Sequence, residues 1–156
     1  MRSNLWKRGA AAAPRPVLTF ALALALAMAA PFPARADEAL REAITSYMDF
    51  ATYESGIILS EQLDQSVFEA AHFVDTRSAD QFAAGHIPGA VHIEWREIPA
   101  RLDELPASGM VILYCNTGSL SAQAAFAARL LGHENVLVLQ GGFGGWQANA
   151  AYRPAP

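Results

Sequence analysis

The stretch VILYCNTGSLSAQAA, residues 111–125, decides the fold reading. With Met110 in front of it, Val111-Ile112-Leu113-Tyr114 is an apolar run with no polar alternate. A strand of that kind can turn neither face to water, so it reads as the central strand of a parallel sheet covered on both sides. The alanine-rich segment from Ser121 to Leu131, closed by Gly132, reads as a helix returning across that sheet. Between them lies Asn116-Thr117-Gly118-Ser119-Leu120, headed by Cys115, the single cysteine of the 156 residues.

The same rhythm extends outward in both directions. Downstream, Val136-Leu137-Val138-Leu139 is another buried strand, and GGFGGW (141–146) leads into a short helix from Trp146 to Ala150. Upstream, Ile57-Ile58-Leu59 reads as a short strand feeding a helix capped by Ser60, and His72-Phe73-Val74 as a third strand. Ser78 and Gln81 stand in capping-box spacing for a helix from Ala79 to a C-cap at Gly85. Ala90 to Ile93 is extended again, and Glu97 to Leu105 gives a short helix stopped by Pro106. Alternating strands and helices predict an α/β fold, a three-layer domain with a mainly parallel central sheet flanked by helices. Ahead of it, Leu40, Ala43, Ile44, Tyr47, Met48 and Ala51 form the stripe of an amphipathic helix from Glu38 to Ala51. That helix is expected to pack on the domain, with a partner-docking face as the alternative.

The first residues carry an address. Arg2, Lys7, Arg8 and Arg15 precede an apolar run from Val17 to Ala30, then Pro31, Pro33 and Ala34-Arg35-Ala36. This pattern reads as a secretory signal peptide over residues 1–36, cut before Asp37. The run is shorter than the ~20 residues a spanning helix needs, although an uncleaved anchor is the alternative. Residues 37–56 then form an N-terminal helical extension and 57–156 the main domain, expected in the periplasm. Five of the 11 Lys+Arg lie in the leader, leaving six arginines against 15 acidic residues, a net charge of −9 with no lysine. So acidic a chain offers phosphates no basic patch, which argues against nucleic acid as a partner and, after signal cleavage, against an anionic membrane.

Export sharpens the question of Cys115, because oxidising compartments favour paired cysteines and this one has nothing to pair with. It is either a small buried hydrophobe or a thiol kept for chemistry. Its position favours chemistry: the carboxyl end of a central strand, a glycine-bearing loop whose N–H groups can ring an anion, and the positive end of a helix. All of these stabilise the thiolate, which is the nucleophile. The histidines His72, His86, His92 and His133 have no cysteine or helix-spaced acidic partner, so neither a metal nor another cofactor is expected.

Three segments resemble, in order, the rhodanese (sulfurtransferase) domains, over roughly Ile57 to Trp146. FVDTRSADQFAAGHIPGAVHI (73–93) is similar to the family's N-terminal signature, with Asp75 and Arg77 as its D-x-R and His86 within G-H-I-P-G-A. Residues 111–125 resemble the active-site strand, loop and helix, and VLVLQGGFGGW (136–146) the closing strand and G-G-x-x-x-W, with Gly141, Gly142 and Trp146. The resemblance implies a persulfide mechanism in which Cys115 takes a sulfane sulfur from thiosulfate or another donor and passes it to cyanide or a thiol. It implies that the backbone N–H groups of Asn116, Thr117, Gly118, Ser119, Leu120 and Ser121 cradle persulfide and donor, as the anion-nest reading of the loop also suggests. It assigns scaffolding to the rest: Asp75 and Arg77 as an ion pair or hydrogen-bond node, His86 as a hydrogen-bonded structural histidine, and Trp146 as a core anchor. Partners would be a small sulfur-containing anion, a thiol persulfide, or a protein donor or acceptor.

One departure matters. Many thiosulfate-active members read C-R-x-G-x-R in this loop, whereas here Asn116 and Leu120 stand in place of the arginines. Leucine cannot replace the charge-assisted, bidentate bonds of a guanidinium, so thiosulfate should bind weakly unless Arg77 or Arg96 reaches in. The same loss, with a shorter loop, tells against the phosphatase branch of the fold. Leu120 either lines the pocket rim or turns inward under the helix. Three readings follow: a sulfurtransferase, a sulfur-carrying or docking module with little turnover, and a thiol redox protein, the last disfavoured because no resolving cysteine exists.

Overall fold

Backbone pairing begins from the runs of β-branched and leucine residues. Five strands form among the residues 32–154 described by the computed structural model: β1 Ile57–Ile58, β2 Ala71–Asp75, β3 Val91–His92, β4 Met110–Tyr114 and β5 Val136–Leu139. The α-helices are α1 Phe32–Phe50, α2 Gln65–Ala70, α3 Ala79–Ala84, α4 Ser119–Leu130 and α5 Gly142–Asn149. Chain contacts define two units, residues 1–41 and 42–156. The leader's basic residues and apolar run, up to Pro31, lie outside the described residues.

The strands pair in the order β1-β5-β4-β2-β3, and every pairing is parallel. Asp75 stands opposite both Tyr114 and His92, and Leu113 opposite both Val74 and Val138. The carboxyl ends of β2, β3, β4 and β5 therefore reach one edge together, and the residues that follow them meet there.

β4 sits at the centre because both its faces are apolar. Val111 and Leu113 enter one core with Val74, Ile93, Ile98, Ala124, Ala125 and Ala128, beneath α4. Ile112 and Tyr114 enter the other with Ile58, Leu63, Phe73, Ile87, Leu139 and Trp146. All four side chains from Val111 to Tyr114 are fully buried. Burial of such a side chain contributes about 1.5–3 kcal/mol, so β4 anchors both layers at once.

Several boundaries differ from expectation, for local reasons. Ser60 opens only a three-residue 3-10 turn, Ser60–Gln62, and the helix that follows is capped by Asp64, whose carboxylate accepts from Val67 N at 2.9 Å. Proline at the second position of IPA holds Glu97 to Leu105 as two 3-10 turns, Ile98–Ala100 and Leu102–Glu104, in place of one helix. α4 starts at Ser119 rather than Ser121, which puts Ser119, Leu120 and Ser121 in its first turn. α5 starts at Gly142 rather than Trp146, because its glycines allow close backbone contact with the neighbouring loop.

The extension also departs from its expected packing. α1 runs from Phe32, ahead of the expected Glu38, and of its described side chains only Ile44 and Tyr47 are half-buried, while Leu40, Met48 and Phe50 are exposed. Tyr47 packs edge-on against Phe126 at 5.2 Å and its hydroxyl accepts from Arg129 Nη1 at 3.0 Å. A cleft of about 570 Å³ separates this stretch from α4, lined by Tyr47, Phe50, Gly56, Arg129 and Leu137 among others. It opens at the amino ends of β1 and β5 and holds none of the residues singled out for chemistry.

Candidate active site

Cys115 follows directly on β4, at the carboxyl edge of the sheet, and is 2 % exposed. Gly118, with φ +101°, turns the chain in a left-handed conformation that lets successive N–H groups point inward. Gly118 N donates to Cys115 Sγ at 3.2 Å, and the N–H groups of Ser121, Thr117 and Leu120 are also aimed at the sulfur. The Ser121 hydroxyl lies 3.8 Å from Sγ and 3.0 Å from Gly118 O and can turn its one proton to either acceptor. Burial by itself pushes the thiol up, but these donors outweigh it, and the thiol rests below its ordinary value of 9.0.

What orients the loop lies behind it. The first-turn N–H groups of α5 have no partner inside their own helix. Phe143 N donates instead to Cys115 O at 2.7 Å and Gly144 N to Asn116 O at 3.2 Å. With its carbonyls held backward, the loop has its N–H groups free to face the sulfur. Gly142 makes this contact sterically feasible: a Cβ there would stand 2.6 Å from Asn116 C and 2.7 Å from Thr117 N.

The neighbouring strand ends stiffen the same edge. Thr76 gives both its N–H (2.8 Å) and its hydroxyl (2.9 Å) to Tyr114 O, just before the cysteine. Asp75 is fully buried and holds Arg77 through Nη2 at 2.6 Å and Nε at 2.9 Å, while Arg77 Nη2 also donates to Gly85 O at 2.7 Å. The Arg77 guanidinium lies 4.2 Å over the Phe143 ring, and its bond to Asp75 raises its pKa further. Burial likewise pushes the Tyr114 phenol far above its usual range, and its oxygen accepts from Ile87 N at 3.0 Å.

Other residues singled out in the sequence take separate places. His86 Nδ1 lies 2.9 Å from Phe82 O, and its ring stacks on Phe82 at 4.0 Å. Trp146 is 8 % exposed within the second core, and its Nε1 is buried without a hydrogen-bond partner. Asn116, Thr117 and Ser119 are exposed around the sulfur, and Leu120 is 38 % exposed, so it stays on the surface rather than packing under α4. Arg77 is locked to Asp75, whereas Arg96 is exposed and paired with Glu94 at 3.0 Å. Among the described residues no group of three or more His, Cys, Asp and Glu is placed to hold a metal. Sequence reasoning missed Thr76 and the N–H groups of Phe143 and Gly144, because backbone donors leave no signature in side-chain type.

The fold is a parallel α/β domain whose central strand ends on a cysteine ringed by N–H donors, an arrangement that favours thiolate over thiol. The rhodanese-like domain family matches residues 59–149, and the chain belongs to that family. It is 33% identical over 99 residues to a sulfurtransferase of Allochromatium vinosum, covering 62% of this chain and 92% of that protein. It is likewise 33% identical over 72 residues to the thiosulfate sulfurtransferase PspE of Escherichia coli, covering 45% of this chain and 69% of the relative. Among solved structures, a human single-domain sulfurtransferase superposes with a TM-score of 0.57 at 23% identity, over 62% of this chain and 99% of that one, a likeness of fold.

Proposed function

We propose that this protein is a sulfurtransferase that carries sulfur as a persulfide on Cys115, acting after export to the periplasm. The observation that carries the reading is the Cys115 sulfur set among the N–H groups of Thr117, Gly118, Leu120 and Ser121, with its thiol held below the ordinary value. In the first half-reaction the thiolate attacks the outer, sulfane sulfur of a donor such as thiosulfate. A Cys115 S–S bond forms, the donor's S–S bond breaks, and sulfite leaves with the electron pair. In the second, a nucleophile such as cyanide or a thiolate attacks the outer persulfide sulfur and leaves the Cys115 thiolate regenerated. The N–H ring stabilises the negative charge on the sulfur in both resting and loaded states, without needing a proton shuttle. Asp75, Arg77 and Trp146 serve as scaffold, and His86 takes no part in the chemistry.

Leu120 at the rim and the lack of a cation within the loop weaken the hold on free thiosulfate unless a cation from outside the loop supplies the charge. A sulfur-carrying role with little turnover is the second reading, favoured by the exposed Leu40, Met48 and Phe50 of α1. Intact mass spectrometry of the protein and of Cys115→Ser tests both, before and after thiosulfate, polysulfide and then cyanide. The expected result is a gain of one sulfur atom, lost with cyanide as thiocyanate appears, and absent in Cys115→Ser. Loading without catalytic turnover would select the carrier role, and loading that survives Cys115→Ser would refute the mechanism.

A further inference from the structure

The positive charges of the unit 42–156 are few enough to be followed one by one, since it contains five arginines and no lysine. Arg77 is buried and saturated by Asp75 and Gly85 O. Arg129 lies at the amino end of β5, bonded to Val136 O, Tyr47 Oη and Gly56 O, at the opposite edge of the sheet from Cys115. Arg101 is shared between Glu97 at 2.9 Å and Glu104 at 2.7 Å. Arg153 lies beyond the far end of α5, donating to Gln147 O.

Arg96 differs from all four. Its segment is stitched to the carboxyl edge of the sheet: Trp95 N donates to Thr76 O at 3.1 Å, and Thr76 N in turn to Tyr114 O at 2.8 Å. Two strand spacings of about 4.8 Å place Trp95 roughly 10 Å across the edge from Tyr114, the residue before Cys115. Ile98, two residues after Arg96, is fully buried in the core beneath α4, so the segment runs on the same side of the sheet as the helix that grows from the cysteine loop. The Arg96 side chain is 72% exposed, and five bonds of about 1.5 Å let it extend roughly 6 Å. Its one carboxylate partner is Glu94, which is steadied by Arg96 N at 2.9 Å and is itself only 20% exposed. Glu94 is thus anchored by backbone, whereas the exposed guanidinium is held only by Glu94 and by its place 5.7 Å over the Trp95 ring.

We infer that Arg96 is the anion-recognition residue of the Cys115 site, leaving Glu94 to pair with the oxyanion end of an incoming donor. This rests on the persulfide reading for its substrate, a small oxyanion bearing a sulfane sulfur. An acidic domain repels such an anion at long range, and Arg96 supplies the local charge that the cysteine loop lacks. Glu94 competes with the anion for the same guanidinium and so weakens it.

The test uses a probe that does not depend on sulfur transfer. Cys115 is alkylated with iodoacetate, an anion, and with iodoacetamide, its neutral counterpart; the thiolate attacks the CH2 carbon, a C–S bond forms, and iodide leaves with the electron pair. The ratio of the two rates is compared in the unmodified protein, Arg96→Gln, Glu94→Gln and Arg101→Gln at low salt. Arg96→Gln should lower the ratio about fivefold to tenfold, Glu94→Gln should raise it, and 1 M salt should flatten both differences. Arg101→Gln changes the net charge equally and should leave the ratio within about twofold. An unchanged ratio in Arg96→Gln overturns the inference, as does an equal fall in Arg101→Gln, or a thiol closed to both reagents. If the ratio responds as expected while no donor loads sulfur onto Cys115, the anion site stands and the sulfurtransferase reading falls.

Discussion

Replacing Gly142 by alanine tests whether the backbone contact behind the loop sets the behaviour of the thiol. Gly142 has φ +58°, and a methyl group there would also meet the start of the loop, 2.6 Å from Asn116 C and 2.7 Å from Thr117 N. The left-handed conformation costs an alanine about 1–2 kcal/mol. Relieving the overlap requires α5 and the loop to separate by several tenths of an ångström or more, which weakens Phe143 N to Cys115 O and Gly144 N to Asn116 O. At about 1 kcal/mol net for each bond, the total is roughly 3–4 kcal/mol. Gly89 is the control, because its φ is +81° and a Cβ there meets nothing within 4 Å. Gly89→Ala should therefore cost only the conformational part, about 1–2 kcal/mol. Urea unfolding at constant m-value reads both numbers, and the pH dependence of alkylation reads the thiol. Gly142→Ala should also raise the thiol midpoint, because carbonyls released from α5 no longer keep the N–H groups facing the sulfur. Equal costs for the two variants, or an unmoved midpoint in Gly142→Ala, would refute the account of how the loop is held.

The alkylation rate of Cys115 should rise with pH through a midpoint below 9.0, and Ser121→Ala, which removes one of the donors, should move that midpoint up. Because the folded-state thiol is depressed, it adds stability that is complete above the ordinary thiol value and is lost as pH falls through the folded midpoint. Urea titrations across that window should show this increment, and Cys115→Ser should remove it. Asp75→Asn leaves Arg77, whose side chain is 5% exposed, without its counter-charge and should destabilise by about 3–5 kcal/mol. Pairing Asp75→Leu with Arg77→Met should recover most of that loss in thermal unfolding, and failure to recover would show that the pair supplies net stability.

Much of the layout was legible because it depends on local pattern. The run Met110–Tyr114 is apolar on both sides, and no other placement than the centre of a covered sheet buries both; the strand was found with its boundaries as read, as was Val136–Leu139. The cap at Ser78 was legible for the same reason, since Ser78 and Gln81 satisfy each other within one turn. Cys115 stood out from strand, glycine and helix signals all within a few residues. The errors fell where distant chain competes with local preference. Ser60 has the side chain of a cap but is buried with its hydroxyl unpartnered, while Asp64, four residues on, caps the helix. The apolar stripe of α1 has helical spacing, but spacing does not say how much of a stripe is covered, and here Ile44 and Tyr47 are only half-buried.

By itself, the sequence determined the alternation of elements, the central strand and the lone cysteine at its carboxyl end, because periodicity, glycine placement and residue identity are properties of short segments. Only the tertiary structure decided which charges share the sheet edge of that cysteine and which way its loop faces. Arg77 and Arg96 were equal candidates in sequence; the fold buries one against Asp75 and leaves the other exposed at the carboxyl edge. The loop's orientation comes from N–H groups of Phe143 and Gly144, more than twenty-five residues downstream, and such pairings are set by parallel strand order and register rather than by neighbouring residues.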